Sequence, residues 1–280
     1  MKQKKTWLIT GASKGFGLAL VKQLLQKGYN VAATSRTIAQ LESAAGPSAP
    51  GFLPLEMDIT SEASVKEGVD KAVAHFGGID VVVNNAGYGL IGSLEELSDA
   101  EVRGNFEVNV FGTLNIIRAT MPHLRKQGSG FVFNISSIGG FYGDFPGWGI
   151  YCATKFAVHG LTESFAAEVK PFGVKVVDVA PGYFRTNFLS SGSILTPAAP
   201  IDAYKEVRDS QAAHQDGING NQPGDPDKAA EVMIAVSESE NPPLHLFLGE
   251  DAYGLAYKKI DAVKAQLEEW RHLATATSFS

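Results

Sequence analysis

The sequence predicts an α/β fold: a single doubly wound domain on a seven-stranded, mostly parallel sheet with helices on both faces. Three observations carry this prediction. Apolar runs of strand length alternate along the chain with segments of helical period. Several of those runs, Val81-Val82-Val83 and Val174-Lys175-Val176-Val177 among them, are continuous, which suits strands covered on both faces. No linker-like stretch divides the 280 residues, so they are read as one domain.

Strands are expected at Thr6–Thr10, Asn30–Thr34, Phe52–Met57, Ile79–Val83, Gly130–Ser136, Val174–Ala180 and Leu244–Leu248. Between them, Leu18, Val21, Leu24 and Leu25 mark one face of a helix that ends near Gly28. Val65, Val69, Ala72 and Phe76 mark a second helix, and Phe156, Leu161 and Phe165 a third. Right-handed crossovers between such strands give the doubly wound arrangement. The segment from Phe188 to Asp227 breaks the rhythm with four prolines and four glycines, and a connection of that length is read as a loop or lid over a site at about 188–225. The tail after Leu273 is mostly small and polar and is expected to fray.

Composition narrows the function. The net charge is −6 and no basic block occurs, which argues against nucleic-acid binding. The basic start Met1-Lys2-Gln3-Lys4-Lys5 is followed by too short an apolar run for a signal peptide, and no run of about 18 apolar residues suggests a membrane span. One cysteine, Cys152, excludes an intramolecular disulfide and fits a reducing compartment. A soluble, cytoplasmic protein is expected. The six histidines form no metal spacing with cysteine, so no metal is expected, and Gly-x-Ser-x-Gly is absent, which removes the α/β-hydrolase reading.

The first strand runs into Thr10-Gly11-Ala12-Ser13-Lys14-Gly15-Phe16-Gly17 and then a helix. Glycines allow a tight turn and close backbone approach, and the helix start offers free N–H groups and a positive dipole end to a pyrophosphate. The plain alternative is a glycine-rich turn without a ligand. The second strand ends at Ser35-Arg36, where sheets that bind NAD place an acid for the ribose 2′-hydroxyl. A hydroxyl and a guanidinium suit a 2′-phosphate instead, and Lys14 adds a second cation, so NADP(H) is predicted over NAD(H). The plain alternative is that both cations are solvated surface charges. Asp58, after the third strand, is either an acceptor for the adenine amino group or an acid before a helix.

Tyr151 and Lys155 are four residues apart, on one face if helical. An ammonium beside a phenol lowers its pKa, which would make a general acid in reduction and a general base in oxidation. Taken alone the spacing is also that of an ordinary surface pair. Ser137 lies at the carboxyl end of a predicted strand, where open α/β sheets bind ligands, and its hydroxyl is placed to polarise a carbonyl oxygen. Ser136 is its rival.

Together these motifs make the chain resemble a short-chain dehydrogenase/reductase, a family with a Rossmann-type fold. The resemblance rests on Thr10-Gly11-x-x-x-Gly15-x-Gly17, Asn84-Asn85-Ala86-Gly87, Ser137 and Tyr151-x-x-x-Lys155 in that order, followed by Pro181-Gly182 and Thr186. It covers Thr6 to Phe188 and, more loosely, Asp225 to Tyr253. It implies Tyr151 as proton donor or acceptor, Lys155 on the nicotinamide ribose, Ser137 on the carbonyl and Asn109 holding a relay water. It also implies Asn85, Ala86 and Gly87 along the adenosine side and Thr186 at the carboxamide. The plain alternative for Asn109 is a polar residue that kinks a helix and is satisfied internally. The interval of fourteen residues from Ser137 to Tyr151 exceeds the one common in the family. The stretch Tyr151–Ala157 resembles the 17β-hydroxysteroid dehydrogenase branch. Dimers or tetramers through the helices of Asn109 and Tyr151 are implied too.

Tyr88, Phe141, Tyr142, Phe145, Trp148, Tyr183, Phe184, Phe188 and Leu189 follow the later strands and are expected to line an apolar pocket for a hydrophobic ketone, aldehyde or alcohol. Arg185 is placed where it can contribute. Cys152 is expected to be a buried apolar group rather than a nucleophile. The expected activity is an NADP(H)-dependent interconversion of carbonyl and alcohol. The alternatives are an NAD-dependent alcohol dehydrogenase of the same family and a non-catalytic NADP(H) sensor.

Overall fold

The computed structural model describes residues 4–190 and 192–279, so Met1, Lys2 and Gln3 of the basic start lie outside the described residues. Seven strands form the main sheet: β1 (Thr6–Ile9), β2 (Asn30–Ser35), β3 (Phe52–Glu56), β4 (Val81–Asn84), β6 (Gly130–Ile135), β7 (Val174–Pro181) and β9 (His245–Leu248). Their order is β3-β2-β1-β4-β6-β7-β9, and every pairing is parallel. Two short strands, β5 (Gly89–Leu90) and β8 (Ile194–Leu195), pair with each other outside it.

Both faces of the sheet are apolar, as the continuous runs require. On β1, Trp7 and Ile9 point into one core and Leu8 into the other, the period of two expected of a strand. The first core packs against α1 (Gly15–Gln26), α2 (Ile38–Ala45) and α8 (Pro226–Ser237) through Leu20, Leu24, Leu41 and Met233. The second packs against α3 (Glu62–Phe76), α5 (Gly112–Gln127) and α6 (Gly149–Val169) through Val69, Ile116, Leu124 and Phe165. All seven expected strands are present, displaced by a residue or two at their ends. The chain order reverses between β1 and β4, so the loops after these two strands diverge and open a crevice at their carboxyl ends.

Helix α4 (Asp99–Phe106) starts with a capping box, Ser98 and Glu101 satisfying each other's backbone N–H groups. It runs into α5 through a π-helical turn, Glu107–Phe111. The segment after β7 is folded rather than structureless. It holds β8, α7 (Lys205–Ala212) and a second π-helical turn, Ala213–Ile218. Helix α9 (Glu250–Ala274) begins against Tyr142 through Ala252 and Ala256, then becomes solvent-exposed from Asp261 onward. No helix among the described residues is long and apolar enough to cross a membrane.

Candidate active site

A cavity of about 1250 Å³ opens along the carboxyl ends of the central strands. Its floor is the glycine loop. Gly11 and Gly15 hold φ of +63° and +58°, the left-handed region that glycine tolerates. A Cβ at Gly11 would sit 2.8 Å from Ala86 Cα. Gly17 packs instead of lining the cavity: a Cβ there would lie 2.7 Å from Asn85 Nδ2. The Asn85 amide donates to the carbonyls of Thr10 (2.8 Å) and Gly11 (3.0 Å), clamping the loop after β4 to the loop after β1. Gly11, Ser13, Gly15, Phe16, Ala86 and Gly87 line the cavity. No side chain caps the start of α1 and no acid lies in its first turn, so its N–H groups and positive end face the opening.

At one end stand Ser35, Arg36 and Asp58. Asp58 is exposed and accepts from the Thr60 N–H and hydroxyl, a turn leading into α3. Arg36 is exposed and lies close to Lys14: burial first, then the Arg36 charge, holds Lys14 below the usual lysine range. Lys14 also donates to Ser193 Oγ (2.6 Å) and so bridges the glycine loop to the segment after β7.

At the other end stand Tyr151, Ser137 and Lys155. The helix of Tyr151 and Lys155, α6, is fixed to the sheet by polar pins. Asn134 Nδ2 donates to Thr162 Oγ1 (2.9 Å) and Ser136 Oγ donates to the Lys155 carbonyl (3.0 Å). Ser136 is thereby engaged with α6. Ser137 Oγ faces the phenol and accepts from the Gly139 N–H. The Lys155 ammonium donates to the Ile135 carbonyl (2.8 Å) and lies 5.8 Å from the Tyr151 ring centre. Burial pushes Lys155 down to about 8, opposed by the Asp178 charge. The Tyr151 phenol moves the other way. Burial raises it, opposed by the Ser137 hydroxyl, so the lowering expected from the neighbouring ammonium does not prevail. Burial also pushes the Cys152 thiol up to about 11, which makes it a poor nucleophile.

Asn109 sits in the first π-helical turn and does not line the cavity. Its carboxamide is buried and fully engaged, accepting from the Tyr88 N–H and donating to the Tyr88 carbonyl and Thr154 Oγ1, each at 3.0 Å. It holds the loop after β4 against α6.

Phe145, Trp148, Phe188 and Leu189 form an apolar chamber around the Tyr151 ring, and Tyr88, Tyr183 and Phe184 line the cavity as well. Phe141 and Tyr142 correct the sequence expectation. Phe141 packs on Phe247 and His159, and Tyr142 lies under α9 with Lys258 above its ring, because the turn after Gly140 points them toward the sheet edge. Pro181, Gly182 and Thr186 line the cavity, and Thr186 faces Gly15 across it. Arg185 is engaged elsewhere, donating to the Gln222 carbonyl. Several lining residues escaped the sequence reading, the polar His214 and Gln222 among them. His214 Nδ1 lies 2.7 Å from the Ser210 carbonyl, which can only accept, so Nε2 receives the Tyr183 hydroxyl at 2.9 Å. The one sequence signal was weak: Val207 and His214, both buried, are seven residues apart on one helical face.

The family model for short chain dehydrogenases matches residues 5–193. The chain is 34% identical to the oxidoreductase BOA17 of Botryotinia fuckeliana, over 98% of this chain and 99% of that one. It is 34% identical to the 3-ketodihydrosphingosine reductase of Bacteroides thetaiotaomicron, over 88% of each. The crystal structure of a short-chain dehydrogenase from Streptomyces avermitilis superposes with a TM-score of 0.91 at 37% identity, covering both chains completely. Other solved neighbours carry NADP or NADH. With its parallel sheet, glycine loop and Ser-Tyr-Lys cluster in one crevice, the chain belongs to the short-chain dehydrogenase family of oxidoreductases.

Proposed function

We propose that the protein interconverts a hydrophobic ketone or aldehyde and its alcohol with NADP(H), using Tyr151 as the general acid and base. The observation that carries this reading is the buried Tyr151 phenol, faced by the Ser137 hydroxyl, in a cavity that continues to an uncapped helix start flanked by Lys14 and Arg36. The cradle fits a dinucleotide: glycines at 11 and 15 make the tight turn beside an uncapped helix start, and the donors available there suit phosphates. When bound, the nicotinamide supplies or accepts the hydride.

Residues of the chain do the rest. Ser137 donates to the carbonyl oxygen as charge develops on it. The phenol, kept protonated by burial, gives its proton to the same oxygen in reduction. Lys155, anchored through its own carbonyl to Ser136, holds the ribose hydroxyls and its charge stabilises the phenolate left behind. Asn109 acts by position, fixing Tyr88 and α6 relative to each other. Phe145, Trp148, Phe188 and Leu189 exclude water and favour an apolar substrate. The relative named 3-ketodihydrosphingosine reductase supports that preference. The segment 188–225 serves as the lid of this chamber.

The test is a panel of hydrophobic ketones and aldehydes followed by NADPH absorbance. Tyr151→Phe is expected to lower kcat by roughly 10²–10⁴ with NADPH binding preserved. Ser137→Ala should lower kcat far more than Ser136→Ala. Undiminished turnover in Tyr151→Phe would show that the proton comes from elsewhere.

A further inference from the structure

We propose that His159, Glu163 and His245 bind one divalent transition-metal ion of the zinc class, with Asp178 as the buried carboxylate that orients both imidazoles. The site is separate from the dinucleotide crevice and does not depend on the reading above. His159 and Glu163 are one turn apart on α6, and His245 opens β9 at the sheet edge. Their ligand atoms lie within 4.8 Å of one another. Glu163 Oε1 is 3.6 Å from His159 Nε2 and 3.3 Å from His245 Nε2. Bonds of about 2.0–2.1 Å in a tetrahedral site put ligand atoms roughly 3.3 Å apart. The glutamate is therefore near its place, and turning the more exposed His245 ring closes the remaining gap.

The second observation is behind the rings. Asp178, on the neighbouring strand β7, is fully buried, with Oδ2 at 2.7 Å from His159 Nδ1 and 3.8 Å from His245 Nδ1. A carboxylate accepting Nδ1–H fixes the tautomer that leaves Nε2 free to ligate, the usual arrangement behind metal-bound histidine. Asp178 Oδ1 and His245 Nδ1 are buried without a hydrogen-bond partner. A turn of the His245 ring toward an ion offers both of them one. The two carboxylates give the group a charge of −2 when the imidazoles are neutral, which a divalent ion neutralises. Two nitrogens and one oxygen suit a borderline ion and not magnesium or calcium. Exposure of Glu163 and His245 leaves the fourth position open to water.

The competing arrangement is an ion network of the same groups with protonated imidazoles and no metal. Cobalt(II) separates the two. The full chain, freed of metal with a chelator, is titrated with Co²⁺ at pH 7.5 and the visible absorption of tetrahedral cobalt is recorded. One Co²⁺ per chain, displaced by Zn²⁺, is expected. Glu163→Gln and His245→Asn should each weaken binding at least tenfold, and Asp178→Asn by roughly 10–100-fold. Thermal unfolding of each variant checks that it folds; both ligand variants alter partly exposed side chains. His75→Ala should change nothing. Absence of the cobalt spectrum at millimolar Co²⁺, or equal binding in wild type and both ligand variants, overturns the proposal and leaves the ion network.

Discussion

Lys155 meets two opposed demands. Its charge serves the site, while burial favours the neutral amine and brings its pKa to about 8. Below that value the ammonium is present, and above it the charge is lost. NADPH affinity is therefore expected to be flat through neutrality and to fall above about pH 8, whereas Lys155→Met should bind weakly with no such limb; fluorescence titration across pH checks both. Stability runs the other way. A lysine with a depressed folded pKa costs stability wherever it is charged, so the cost is full below about 8 and fades as pH rises toward the unfolded-chain value of 10.5. Lys155→Met should gain stability at neutral pH, a gain that shrinks between those values in denaturant unfolding. At this scale the sequence told part of the story. A four-residue interval placed Tyr151 and Lys155 on one face, because helical period is local. It could not show that burial moves the two pKa values in opposite directions, since burial comes from Phe188 and Trp148 brought in by the fold.

Among the elements, the segment after β7 was least legible. Its strand β8 is two residues long and its second helical turn has π geometry, so neither leaves a periodic signature. Its shape is imposed by acids far away in sequence. Glu96 accepts from the Ile201 N–H (2.8 Å) and pairs with Arg208, Glu101 accepts from the Ala198 N–H, and Glu95 from the Tyr204 hydroxyl. Helices α1, α3 and α6, by contrast, carry their own apolar stripes and were readable. Burial alone would raise Glu96, but the Ile201 and Ser93 N–H groups and Arg208 bring it below the usual carboxylate range. A carboxylate with a depressed folded pKa contributes stability above its unfolded value, about 4.5, and loses it as pH falls through the folded one. Glu96→Gln should therefore release this segment locally. Trypsin cleavage at Lys205 and Arg208 is expected to accelerate roughly tenfold at neutral pH. The difference from wild type should persist down to about pH 4.5 and narrow only below it, using an acid protease for the same segment. Equal cleavage at neutral pH would mean that Glu96 does not hold it.

Across the whole molecule, the doubly wound form was legible because strand–helix alternation and a fixed crossover hand leave few topologies, and the switch between β1 and β4 then places the crevice. The order of strands along the sheet was not, since pairing such as β4 with β6 joins residues fifty positions apart. The same geometry makes the cofactor a folding partner. Its crevice exists only when both loops are in place, so binding stabilises the native state by mass action, about 2.7 kcal/mol at 100 times Kd. For a chain of 280 residues, with an unfolding entropy of about 2.1 cal/mol/K per residue, that is a rise in Tm of roughly 4–5 °C. If Arg36 and Lys14 hold a 2′-phosphate, NADPH raises Tm more than NADH at equal concentration. Arg36→Glu removes a charge-assisted contact of about 1.5–3 kcal/mol and adds repulsion, weakening NADPH by roughly 100-fold and leaving a shift below about 1 °C. NADH, which lacks that phosphate, should keep its shift. Scanning fluorimetry of the two proteins with the two cofactors reads all four values, and a larger shift with NADH in the wild type would assign the cations at this end of the crevice to solvent.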